Sequence, residues 1–346
     1  MLLSYPDFVP SYTPSVHIAR SIIYQLLLAL EYLHCPQIGV AHRDVNPSNV
    51  VIDSKGCVKL LDFGVAFEDN CGMENEHPNG GMYFELATGA YRAPELLFGC
   101  RDYDAKSTDS WSVGVTISTF FGPLSSYACT TSTRTNSTSS VSSSISSSSQ
   151  GGLTRLDAPV ILPCNENRRG SFHSQRSITH TRWSRRTLFD ASHGEIGLVS
   201  SILSVRGPIT DQNWPEYETL PDFNKISFNT SVPKTLNHYL PHLPEIPKLP
   251  QPDNYSFTHT PQYNAIPTAY DLIERLLQYS PSKRLTPSDA LSHPWFTSSP
   301  ILIPRNTHNS LTRSTHDYVY EFEHHSLEKL LSHWIQAGER RVLGTP

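Results

Sequence analysis

Four short strings follow one another in the chain. They are His42-Arg43-Asp44 with Asn49 close behind, Asp62-Phe63-Gly64, Ala93-Pro94-Glu95, and Asp109-Ser110-Trp111-Ser112-Val113-Gly114. Their polar members are mostly aspartates, a glutamate and an asparagine, side chains that accept protons or bind hard cations through oxygen. The same residue types cap helices and form turns, and any one tripeptide can arise by chance in 346 residues. Order and setting carry the signal.

The setting is read from periodicity. Behind Pro14, Val16, Ala19, Ile22, Ile23, Leu26, Leu27, Leu30 and Leu33 recur at three- and four-residue steps, which predicts a long helix with a wide apolar stripe. The runs Asn49 to Asp53 and Cys57 to Asp62 predict two strands, joined by a hairpin turn at Ser54-Lys55-Gly56. The Asp44 string therefore lies between helix and hairpin, and the Asp62 string ends the second strand. A polar, glycine-rich loop over residues 70–81 leads toward Glu95. A second helix is expected from Ser107 to Phe120, stopping at Gly122-Pro123. Further helices are expected over Ile196 to Leu203, Thr268 to Tyr279, Pro287 to Leu291 and Tyr318 to Ile335. Residues 231–262 read as proline-punctuated and irregular.

Composition interrupts this pattern once. From Ser125 to Arg186 the chain is rich in serine, threonine and arginine and poor in periodic apolar residues, so it is expected to be a disordered insert. The expected organisation is 1–124, the insert 125–186, 187–300, and an extension 301–346. The hydrophobic fraction is 38% and the net charge −5, with no basic excess to favour nucleic acid or membrane surfaces. Six scattered cysteines form no CxxC pair, which argues against a disulfide frame or zinc site and for reduced thiols. No leader pattern or long apolar run is evident, so the expected location is cytoplasm or nucleus.

The ordered strings resemble the signature set of the eukaryotic protein kinases, over roughly residues 1–123 and 187–300. The resemblance implies a mainly α fold, the large C-terminal lobe of the α+β kinase fold, with a small β-hairpin at the catalytic cleft. It implies transfer of the ATP γ-phosphate to protein hydroxyls with Mg²⁺, a reaction that needs positioning and charge neutralisation more than covalent help. On that reading Asp44 accepts the substrate proton, while Asn49 and Asp62 hold Mg²⁺. Val51 floors the adenine site. Glu95 and Arg284 form a buried ion pair, and Asp109 accepts backbone N–H groups of the catalytic loop, although an ordinary N-cap reading stays open for it. His42, Arg43, Phe63 and Gly64 are structural.

Thr88 to Glu95 and Tyr91 to Gly99, with Gly207-Pro208-Ile209, Trp214 to Tyr217 and Leu220 to Phe223, resemble the cyclin-dependent kinase group. Within it the Thr88 to Glu95 string is most similar to fungal monomeric CDK-activating kinases, which implies a protein substrate such as a cyclin-dependent kinase. Two departures stand out. Asn46 occupies the position where such kinases carry a lysine against the γ-phosphate, and no glycine-rich loop or VAIK-like string precedes the first helix. The expectation is an N-terminally incomplete catalytic domain, with Met1 to Pro6 as the last small-lobe strand. Losing two preorganised donors at about a hundred- to a thousand-fold each predicts an inactive chain. Its uncovered apolar face would favour self-association. The alternative is a pseudokinase-like binding module; coding sequence upstream of Met1 would distinguish the two.

Overall fold

The structure is a computed structural model. It describes residues 15–69, 76–77, 80–132, 177–225, 227, 234–243, 268–305, 317–322 and 324–332. The expected strand at Met1 to Pro6 lies outside these residues, as do residues 133–176 of the expected insert. The chain divides into two compact units, 1–125 with 183–346, and 126–182.

In the larger unit, α1 (Ser15–His34) follows the predicted apolar stripe. Ile18, Ile22, Ile23, Leu26, Leu27 and Leu30 are almost wholly buried. By length and composition α1 could cross a membrane, yet 67% of the stretch concerned is buried inside the fold, as for the core helix of a globular domain. After β1 (Val40–Ala41) come the hairpin strands β2 (Val50–Ile52) and β3 (Val58–Leu60), paired antiparallel with Val51 opposite Lys59. Gly56 takes the positive φ of the turn at 89°. That left-handed turn lets the hairpin lie against α1, where the Gln25 amide oxygen accepts the N–H of Val58 at 3.1 Å. Strand β4 (Phe67–Glu68) returns to pair antiparallel with β1.

The short α2 (Pro94–Leu97) precedes α3 (Ala105–Phe121), which is buried on all sides, polar residues included. Several of its hydroxyls turn back onto its own carbonyls, Thr108 to Ala105 O and Ser118 to Val115 O, both at 2.7 Å, while Ser107 and Ser112 donate to the carbonyls of Pro281 and Tyr91. That pairing of most hydroxyls is what lets a hydroxyl-rich helix occupy the centre. Asp104 is the N-cap of α3, accepting from the N–H groups of Lys106 and Ser107.

The expected insert departs from its reading at both edges. Leu124–Ser132 is strand β5 and Ser177–Arg185 is strand β6, and the two pair as a separate sheet. Helices α4 (Gly194–Arg206), α5 (Leu236–Tyr239), α6 (Ala269–Leu276), α7 (Pro287–Leu291) and α8 (Pro294–Thr297) complete the helical part. The α6 helix stops short of the expected Tyr279. The chain bends there so that the carbonyls of Gln278 and Tyr279 meet the Arg284 guanidinium.

The C-terminal region corrects a second expectation. In place of a helix from Tyr318, β7 (Ile301–Leu302) pairs in parallel with β8 (Tyr318–Val319). Strands β9 (Glu321–Phe322) and β10 (His325–Ser326) form a further pair, and helix begins only at 327. The alternation in Tyr318-Val319-Tyr320-Glu321-Phe322 is a strand period, and it wins over the longer amphipathic pattern. This segment lies along α1. Tyr24 and Tyr318 share a hydroxyl hydrogen bond of 2.8 Å, and His17 stacks on Phe322.

Candidate active site

The loop between β1 and β2 is fixed from below by α3. Asp109 is fully buried, with Oδ2 accepting the N–H of His42 and Oδ1 that of Arg43, each at 2.7 Å. His34, ending α1, contacts the same carboxylate at 2.8 Å. Since Asp104 caps the helix, Asp109 is free to reach out of α3 into this loop. Such a grip holds Arg43 in the left-handed region at φ 63°, a conformation that non-glycine side chains adopt only under constraint.

His42 ties the loop to the hairpin. Its Nε2 lies 2.9 Å from the Leu61 carbonyl oxygen, and its ring meets the edge of Phe63 at 4.8 Å. Just beyond Leu61, Asp62 also has positive φ, at 65°. Its carboxylate is exposed, with Oδ1 accepting from the N–H of Gly64 at 3.3 Å. Leu61 N–H donates to Asn49 O at 2.8 Å, which sets Asn49 beside the Asp62 turn.

Asp44 is held from two sides. Within the loop, the Asn49 amide donates to Asp44 Oδ2 at 3.0 Å and to its carbonyl at 2.9 Å. The Asn46 amide reaches Asp44 Oδ1 at 3.0 Å, while its own oxygen accepts from Ser48 N–H at 2.9 Å. From the other side comes Thr88. Its N–H and hydroxyl both donate to Asp44 Oδ1, at 2.8 and 2.7 Å. The adjacent Ala87 has φ 67°, so this stretch too is constrained.

Arg43 gathers the remaining segments. Nε donates to Val65 O at 2.6 Å, and the two terminal nitrogens grip Glu76 at 2.7 and 2.8 Å. Burial alone would raise the Glu76 carboxyl, but the hydrogen bond and charge of Arg43 hold it below the usual range. Tyr103, whose hydroxyl also meets Arg43, is pushed by burial up to about 12.

Glu95 and Arg284 stand apart from this cluster and form a bidentate pair buried beneath α2, with both contacts at 2.6 Å. Val51, Leu61, Phe63 and Val65 are exposed apolar residues along the hairpin and the Asp62 turn. The sequence alone does not mark Thr88 and Glu76 as site residues. A threonine near Ala93-Pro94-Glu95 and a glutamate in a polar loop have no periodicity to mark them.

The donor set around Asn49 and Asp62 is all oxygen. With the Asn49 nitrogen turned to Asp44, its Oδ1 and the exposed Asp62 carboxylate suit a hard cation such as Mg²⁺ better than a soft metal. Among the described residues no group of three or more His, Cys, Asp or Glu could hold a metal ion.

Residues 10–151 match the family model of the protein kinase domain. Curated proteins similar to this chain include mouse cyclin-dependent kinase 20, 27% identical over 82% of the chain and 55% of the relative. Saccharomyces cerevisiae meiotic mRNA stability protein kinase SSN3 is 26% identical over 85% of the chain and 39% of the relative. The chain thus spans about half the length of the curated relatives it matches. Among solved structures, a chain of the yeast RNA Pol II CTD kinase CTDK-1 complex superposes with a TM-score of 0.50 at 21% identity. The match covers 83% of this chain and 64% of that one. That likeness concerns the fold.

Proposed function

We propose that the protein is a serine/threonine protein kinase of the cyclin-dependent type, acting on a protein hydroxyl with ATP and Mg²⁺. The observation that carries this reading is the double hold on Asp44. A carboxylate meant to accept a hydroxyl proton must be aimed, and four donors from Asn46, Asn49 and Thr88 aim this one. Asn49 and Asp62 are assigned as the metal ligands, and Val51 as the apolar floor for adenine. Bound Mg²⁺ would neutralise charge on the transferring phosphate.

Asn46 is assigned a positioning role. Its oxygen is engaged by Ser48 and its nitrogen by Asp44, so it orients the carboxylate and brings no charge to a phosphate. The Thr88 to Glu95 string further supports a CDK-activating subgroup, with a cyclin-dependent kinase as substrate. A cyclin partner is suggested by the names of the relatives.

The test is phosphate transfer from labelled ATP to serine and threonine peptides by the full-length product of the gene. Asp44→Asn should lower the rate by about a hundred-fold or more with the melting temperature kept. Undiminished transfer by Asp44→Asn would overturn the assignment. No transfer by the unaltered protein, with a partner retained on a column, would favour a binding module instead.

A further inference from the structure

Arg20 is a buried cation without an anion. It sits on α1 at 5% exposure, and the groups it meets are neutral. One terminal nitrogen donates to the carbonyls of Phe296 and Ser299, at 3.0 and 2.9 Å, and the other donates to the Ser299 hydroxyl oxygen. The Trp295 ring lies 5.9 Å away, and Nε has no partner. Burial, unopposed by any carboxylate among the described residues, pulls the Arg20 pKa down to about 10. A desolvated cation in this state favours any negative charge brought to it.

Ser299 is the group that can bring one. It lies in the short turn between α8 and β7, where Thr297, Ser298 and Pro300 are exposed and Ser299 itself is half-buried. Pro300 keeps the residue before it extended, the form in which proline-directed protein kinases take a serine. The other two Ser/Thr-Pro pairs among the described residues are less suited. Ser280, before Pro281, is buried at 1% exposure. Thr286, before Pro287, has its hydroxyl 2.7 Å from the Asp289 carboxylate, which would repel a phosphate.

We propose that Ser299 is a phosphorylation site and that Arg20 is the built-in receiver of its phosphate. In the transfer, Ser299 Oγ bonds to the γ-phosphorus of ATP while a base of the proline-directed kinase takes the hydroxyl proton. The bond from that phosphorus to the β-phosphate oxygen breaks and ADP leaves. A dianion then replaces a neutral oxygen beside the guanidinium, and charge-assisted hydrogen bonds tie the α8–β7 turn to α1. Nothing in this step depends on whether the chain itself transfers phosphate.

The full chain made with phosphoserine in place of Ser299, in place of Ser298, or with neither tests the receiver, each form with Arg20 kept and with Arg20→Gln. The phosphate on residue 299 should raise the melting temperature by about 3 °C, and the one on residue 298 should leave it nearly unchanged. With Arg20→Gln the rise should vanish. An unchanged or lower melting temperature with the phosphate on residue 299 overturns the proposal, as does an equal rise from residue 298 or a rise that survives Arg20→Gln. Should Arg20→Gln fail to fold, the comparison of 299 with 298 decides. Access is tested by incubating the unaltered chain with Mg·ATP and a purified mitogen-activated protein kinase, followed by mass spectrometry. Phosphate is expected on Ser299; a label on the free peptide 293–305 with none on Ser299 of the folded chain overturns the site.

Discussion

Arg284 holds Glu95 across 189 positions of sequence, in a pair whose side chains are 1% and 2% exposed. The guanidinium has no free N–H direction: it also donates to the carbonyls of Gln278, Tyr279 and Ser107, and lies over the Trp111 ring at 5.2 Å. Taking away the carboxylate leaves a buried cation with neutral acceptors. Glu95→Gln should therefore cost about 3–5 kcal/mol, read as a large drop in the urea midpoint with an unchanged slope. A loss under about 1 kcal/mol would show that the carbonyls alone can satisfy Arg284.

Asp109 offers a second, more local test. In Asp109→Asn one of the two loop N–H groups must face an amide nitrogen instead of an oxygen. An unsatisfied buried donor costs about 1–3 kcal/mol. Exchange at the His42 and Arg43 amides should rise well beyond that of neighbouring core amides. Equal protection in the variant would mean that the loop is held by other contacts.

The pair of Arg43 with Glu76 has a pH signature whose sign follows from the lowered Glu76 carboxyl. A group with a folded value below its usual 4.5 contributes stability that is fully present above that value. The contribution fades as pH falls through the lower, folded value. The melting temperatures of the unaltered protein and Glu76→Gln should differ near neutral pH and converge below 4.5. A gap that persists unchanged into acid would point to packing in place of charge.

Gly114 marks where α3 meets α6. A Cβ there would lie 2.9 Å from both Leu276 Cβ and Leu277 Cδ2, closer than real contacts allow. Gly114→Ala should destabilise by about 1–3 kcal/mol, although alanine is the better helix former. A stabilised variant by thermal melting would show that α6 can shift away freely.

Much of this architecture could be read from residues alone, where a single physical signal dominates. The stripe of α1 and the turn at Gly56 follow from periodicity and positive φ, and α7 runs over the expected Pro287 to Leu291. Asp44, Asn49 and Asp62 could be singled out because their strings recur in order along one set of elements. The misses come from long-range contacts. Thr88 meets Asp44 from 44 residues away, and Glu76 meets Arg43 from 33. Residues 318–326 satisfied a helical pattern and a strand pattern together, and pairing with Ile301 and Leu302 decided between them.

The segment lying along α1 has a consequence for how the chain is made. Part of the cover over α1 comes from α7 and from residues beyond 300, including Tyr318 on Tyr24. A ribosome adds about 5–20 residues per second, so Pro287 emerges on the order of ten to fifty seconds after His34. For that interval a helix apolar enough to suit a bilayer waits with one face bare. Its safe passage depends on what shields it in the meantime, until α7 and the residues beyond 300 close that face.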